Sequence, residues 1–198
     1  CSSDLVVQGT TNAIVTRWNT LYAKYEAVFD GTNFFYVPYT KEDAIGNAMQ
    51  GMFSMEILFS PDGGVNPFSS MESGGLGYEM TSDNKLAFYY RANNKWVLPN
   101  NNFQIPIQVG QNAYYHAVVT YNKTTFRMYL NGNKVKEMKV SGSFNFPQKN
   151  QAPDYLMGIG GDYRDVVIPS IQNSFIGKIV YARLYKGVLS ESDVKKMN

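Results

Sequence analysis

Residues 114–140 read YYHAVVTYNKTTFRMYLNGNKVKEMKV, and this stretch decides the fold class. In residues 114–121 β-branched and aromatic side chains predominate, which suits a pleated, half-buried strand. Residues 126–130 form a second such run, and Asn131-Gly132 then turns the chain into residues 134–140. An Asn-Gly pair between alternating runs signals a hairpin, because a type I′ turn needs positive φ at both central residues.

The same pattern recurs on either side. Residues 22–29 read as a strand ending at Asp30-Gly31, and residues 33–39 as another that stops near Pro38. In residues 52–60, Phe53, Met55, Ile57 and Phe59 alternate with Met52, Ser54, Glu56 and Leu58. That second face is partly apolar, which predicts cover on both sides. A hairpin is expected over residues 77–81 and 85–91, turning at Ser82-Asp83-Asn84. Its second arm points Leu86, Phe88 and Tyr90 one way and Ala87, Tyr89 and Arg91 the other. Residues 156–160 and 175–185 supply later strands.

Residues 40–50 read as a polar connection, 61–77 as a Gly/Ser-rich loop, and 92–103 as an Asn-rich loop holding Trp96. Ser190-Glu191-Ser192-Asp193 opens a short last helix, with Ser190 as its cap and acidic groups at its positive end. Residues 12–21 read as a short helical turn with Ile14, Trp18 and Leu21 near one face and Trp18 packed on the domain. About ten short strands and almost no helix predict an all-β, two-sheet antiparallel jelly-roll sandwich. Its expected span is residues 22–198, after an N-terminal lead-in segment over 1–21.

Composition agrees. The 198 residues are 44% hydrophobic, 15% aromatic and 17% charged, enough for one large β domain with its own core. A net charge of +2, with no Lys/Arg run longer than Lys195-Lys196, argues against nucleic acid as a partner. No apolar stretch approaches the roughly 18 residues of a membrane span. The one cysteine is Cys1, followed by Ser2-Ser3-Asp4, which leaves no internal disulfide and no multi-cysteine metal site. Bacterial lipoproteins are cleaved just before a cysteine that takes lipid. Lipidation of Cys1 is therefore expected, with the domain at a bacterial cell surface or in the periplasm, or else secreted. Membrane contact would come only through that anchor.

Several segments, in order, resemble the laminin-G-like jelly rolls of the concanavalin A-like superfamily. Phe29-Asp30-Gly31 matches that family's opening, and residues 53–60 with Pro61-Asp62 match the strand after it. Residues 114–121 look like its histidine strand, with Tyr114 in place of the usual tryptophan, and residues 126–132 look like its hairpin. Residues 156–161, then Phe175-Ile176-Gly177-Lys178-Ile179 and Ala182-Arg183-Leu184-Tyr185, look like the closing strands, and Val188-Leu189-Ser190 like the start of the terminal helix. The resemblance covers residues 22–198 and implies the fold rather than a function. Many relatives carry an aspartate-glutamate pair where this chain has Val180-Tyr181, so a calcium site there is not expected.

Catalytic relatives, the laminarinase-like enzymes, carry glutamate-x-aspartate-x-x-glutamate on one strand, and this chain has no such run. Glu56 and Glu26 each read as isolated acids. His116, the one histidine, fits a structural role better than a triad or a metal site. Asp154, Asp162 and Asp165 flank the 156–160 strand as candidate calcium ligands, and no other cofactor is expected. Sugar sites pair an aromatic platform with amides and charged groups. Residues 89–102 provide Tyr89, Arg91, Asn94 and Trp96, with Tyr78 on the paired strand. The expected function is a non-catalytic recognition module for carbohydrate. The alternatives are a protein–protein adhesion domain and a glycoside hydrolase with unusual catalytic residues.

Overall fold

The computed structural model describes residues 15–97, 103–140, 142–146, 155–163 and 171–197. In chain order the elements begin with β1 (Val15–Asn19), β2 (Lys24–Asp30), β3 (Phe35–Tyr39) and α1 (Ala44–Gln50). Next come β4 (Phe53–Gly64), β5 (Phe68–Ser70), α2 (Met71–Gly74), β6 (Leu76–Met80) and β7 (Lys85–Ala92). Then follow β8 (Lys95–Val97), β9 (Gln104–Pro106), β10 (Tyr115–Tyr121), β11 (Thr125–Leu130) and β12 (Asn133–Lys139). The chain closes with β13 (Tyr155–Ile159), β14 (Asp162–Tyr163), β15 (Ile171–Gln172), β16 (Phe175–Lys186) and α3 (Glu191–Met197).

Two antiparallel sheets form the sandwich. The first is seven-stranded, in the order β1-β2-β16-β4-β10-β11-β12. The second runs β3-β13-β5-β6-β7-β8, with β9 also paired to β7. The alternation read from sequence points the core inward. Phe53, Met55, Ile57 and Phe59 of β4 meet Leu86, Phe88 and Tyr90 of β7 in one buried cluster. Its centre is aromatic: Phe126 stacks on Tyr121 at 4.4 Å and meets Tyr90 edge-on at 4.8 Å. Asn131 (φ 49°) and Gly132 (φ 74°) form the expected two-residue turn, with Leu130 opposite Asn133.

Several local expectations change. Residues 15–19 are a strand paired to β2, not a helical turn. Trp18 is 53% exposed and rests edge-on against Tyr25 rather than packing into the domain. The i, i+3/i+4 spacing of apolar residues was overridden by tertiary pairing. The expected boundary at residue 22 thus falls in the turn between β1 and β2, and residues 15–19 belong to the first sheet.

The polar connection over 40–50 holds α1, whose first amides, those of Ile45 and Gly46, donate to Asp43 Oδ1 at 2.9 and 3.0 Å. The 61–77 loop is largely structured. β4 continues through Pro61 and Gly63 beside β16, and β5 and α2 follow. Where β5 ends, α2 completes the edge of β13. Leu156 N–H donates to Ser73 Oγ at 3.0 Å, and Ser70 Oγ donates to the Leu156 carbonyl at 2.6 Å. The Asn-rich loop contains β8. At the C-terminus, Ser190 Oγ accepts from the Asp193 amide as expected, and α3 lays Val194 on Val118 and Tyr129 over the first sheet.

Candidate functional site

The outer face of the second sheet gathers most of the predicted binding residues. Opposed residues on paired strands share a face. β7 turns Tyr89 and Arg91 outward, β6 sets Gly77 opposite Tyr89, and β8 sets Trp96 opposite Arg91. Tyr89, Arg91 and Trp96 are all half-buried. Gly77, opposite Tyr89, contributes no side chain of its own to the face. A Cβ there would stand 2.7 Å from the Ser69 Oγ and 2.8 Å from its Cα, so Ser69 packs against Gly77 and leaves no room for a side chain.

Tyr78 does not belong to this face. It pairs with Phe88, points into the core at 0% exposure and donates its hydroxyl to the Met55 carbonyl at 2.6 Å. The residue that β6 does present is Glu79, which the sequence reading missed. Tyr89 donates to Glu79 Oε1 at 3.3 Å. Burial raises the Glu79 carboxyl above its ordinary range, offset in part by that hydrogen bond.

Arg91 is held by its backbone: its N–H donates to the Gly75 carbonyl at 2.7 Å and its carbonyl accepts from Asn145 at 3.3 Å. Its Nε is shielded from solvent and has no acceptor among the described residues. Asn94 lies at the rim. With φ of 50° and 58°, Asn93 and Asn94 make the left-handed turn between β7 and β8, and the Asn94 amide donates to Asn145 Oδ1 at 2.9 Å. Asn94 therefore serves the turn first, and residues 98–102 lie outside the described residues.

The first sheet carries two buried carboxylates on its outer face. Glu56 is fully buried and accepts from Tyr185 at 2.6 Å and Arg183 at 3.3 Å, with His116 Nε2 at 2.9 Å from its other oxygen. Burial pushes Glu56 up, but His116, Tyr185 and the Arg183 charge outweigh it and hold the carboxyl below its usual range. Burial, and the hydrogen bond to and charge of Glu56, push the Tyr185 phenol up to about 12, against the opposing effect of Arg183. Glu26, 2% exposed, accepts from Arg17, from Asn19 at 2.7 Å and from Tyr114 at 2.5 Å. The described partners of both acids are cations, hydroxyls, an amide and an imidazole, none of them a second carboxylate. His116 has the structural placement expected of it.

At the position where relatives hold acids, Val180 is the residue of a β-bulge in β16, and Tyr181 faces outward. Its ring carries the Arg183 guanidinium at 4.2 Å and the Lys24 ammonium at 4.9 Å, a setting that repels a metal cation. Asp162, a candidate calcium ligand, is buried. Its oxygens accept the Met71 and Glu72 amides at 3.1 and 2.9 Å, which caps α2 from a distant strand. Asp154, Asp165 and Cys1 lie outside the described residues. Among the described residues no group of three or more His, Cys, Asp or Glu side chains could hold a metal.

Two seven-stranded antiparallel sheets with an aromatic and charged outer face define a jelly-roll sandwich of the lectin-like class. The family model described as the concanavalin A-like lectin/glucanases superfamily, laminin-G type, matches residues 50–195, and the chain belongs to that family. No curated protein matches it in sequence. Among solved structures, the binding domain of botulinum neurotoxin DC in complex with SialylT is similar at a TM-score of 0.68 and 14% identity, over 99% of this chain and 47% of that one. The same domain in complex with rat synaptotagmin II gives 0.64 and 16%, with the same coverage. Domain 4 of AbnA, a GH43 extracellular arabinanase from Geobacillus stearothermophilus, in complex with arabinotriose, gives 0.62 and 18% over 94% of this chain and 81% of that one. The chain thus spans about half the length of the neurotoxin binding domains.

Proposed function

We propose that this domain is a non-catalytic carbohydrate-recognition module whose site is the outer face of the second sheet. The observation that carries the reading is the placement of half-buried Tyr89 and Trp96 on one sheet face with Arg91 and Glu79. An aromatic face stacks on the apolar side of a sugar ring, while the charged groups and amides take its hydroxyls. Structures of similar fold in complex with arabinotriose and with SialylT support this reading. A hydrolase reading has less support, because Glu56 and Glu26 are shielded from solvent and engaged by their neighbours.

A glycan array followed by titration calorimetry tests the proposal. Binding is expected, with a loss of about tenfold or more in Trp96→Ala and Tyr89→Ala. An array without a ligand at millimolar concentration, or a ligand indifferent to both substitutions, refutes it.

A second reading is protein adhesion. It is favoured by the exposed Trp18–Tyr25 pair on the edge hairpin of the first sheet, 53% and 67% exposed. That reading requires a protein ligand whose binding falls in Trp18→Ala and persists in Trp96→Ala. The proposed setting is a bacterial cell surface or the periplasm, with lipid on Cys1. Intact mass of membrane-extracted protein carrying an unmodified Cys1 removes that part.

A further inference from the structure

We infer that the saccharide taken by the second sheet carries a carboxylate, held by Arg91, and lays an uncharged ring toward Tyr89 and Glu79. The inference rests on the carbohydrate reading above and concerns the charge and direction of its ligand. Among the described residues no carboxylate lies within ion-pair distance of Arg91, although six other Lys or Arg pairs with a carboxylate form. Its backbone is fixed on both sides, by Gly75 and by Asn145, and its Nε–H is desolvated with no acceptor among the described residues. A guanidinium presents a planar fork of donors that a carboxylate fills with two parallel bonds. Arg91 is therefore a positioned cation whose strongest acceptors are not provided by the described residues.

The acid on the same face does not meet that need. Glu79 sits opposite Ala87, four residues from Arg91 along β7, which is about 13 Å. It is bonded to Tyr89 and has no cation partner among the described residues. An anionic group brought to the Glu79 end is repelled, whereas sugar hydroxyls can donate to it. The face is thus polar along β7, with a cation beside Trp96 at one end, Tyr89 in the middle, and an acceptor at the other. A ligand that satisfies all three has its carboxylate at the β8 edge and a neutral, hydroxyl-bearing ring over Tyr89.

Two matched pairs test this by calorimetry on the whole chain: tetragalacturonate against its methyl ester, and sialyllactose against lactose. A tetraglutamate peptide is added as a non-sugar anion. The carboxylated member of at least one pair is expected to bind about tenfold or more tighter than its neutral mate. That preference falls to about unity in Arg91→Gln, survives in Lys95→Gln, and shrinks as salt rises. Arg91→Lys, which keeps the charge and loses the fork, is expected to retain part of it and keeps the test open should the Gln variant not fold. Equal binding of acid and neutral sugars overturns the inference and leaves the carbohydrate reading standing. No binding by either pair overturns the inference, and an array without any ligand overturns the reading beneath it. Arg91-dependent binding of tetraglutamate as tight as that of the sugars overturns the assignment to saccharides.

Discussion

Replacing Glu56 with alanine should cost this domain about 3 kcal/mol, and the structure says where that comes from. The carboxylate has three partners, and they differ in access to water. Arg183 is 43% exposed and Tyr185 half-buried, so both can re-solvate when the acid is removed. His116 cannot: its side chain is 2% exposed, and its Nδ1 already lacks a partner among the described residues. A hydrogen bond to a charged group contributes about 1.5–3 kcal/mol, and a void left by the shortened side chain adds to that loss. With a urea m-value of about 2–3 kcal/mol/M, the unfolding midpoint should fall by about 1–1.5 M without a change in m.

Glu56→Gln should cost roughly a third as much, about 1 kcal/mol, because the amide oxygen still accepts from Tyr185 and Arg183 while its NH₂ can donate to a His116 of the other tautomer. The pH dependence has a definite sign. The folded-state pKa of Glu56 lies below its unfolded value, so the ionised acid stabilises the fold fully above the unfolded pKa near ~4.3. That contribution is lost as pH falls through the lower folded pKa. The gap between wild type and Glu56→Gln should therefore narrow from pH 6 toward pH 3. A midpoint shift below about 0.2 M for the alanine variant, or a gap that widens on acidification, would refute the assigned network.

Three further outcomes are expected. Glu79→Gln should melt higher than wild type at pH 7 and level with it near pH ~4: a carboxyl whose folded pKa is raised by burial favours folding while protonated and loses that advantage as pH rises through it. Gly160→Ala should lower stability by about 3 kcal/mol, and the melting temperature by on the order of 10 °C. Gly160 sits at φ +87° with the buried Phe29 ring where a Cβ would go, and calorimetric melting shows whether it tolerates one. Arg127→Ala should change the urea midpoint by less than about 0.2 M, because its pairing with Glu137 at 2.8 Å is solvent-accessible on both sides.

How much could be read without the structure depended on distance along the chain. The Asn131-Gly132 hairpin, the inward faces of β4 and β7 and the Ser190 cap rest on neighbours within a few residues, and each was legible. The described partners of Glu56 lie 60 to 129 residues away, so nothing local marked that acid as neutralised. The cap that Asp162 gives α2 spans 90 residues and was equally invisible.

Tyr78 is a different case, because the information was present and register decided it. Leu86, Phe88 and Tyr90 were read as one face of their strand, and cross-strand pairs share a face. With Met80 opposite Leu86, Tyr78 must lie opposite Phe88 and go inward with it. A register shifted by one residue would turn Tyr78 outward and Glu79 inward, since side chains alternate with a period of two. The candidate site would then be a pair of tyrosines beside an arginine, with no acceptor at the far end. The observed register instead puts a carboxylate there and a glycine beside Tyr89. The polarity of the face, and the direction in which it orients a ligand, thus follow from the single pairing of Gly77 with Tyr89.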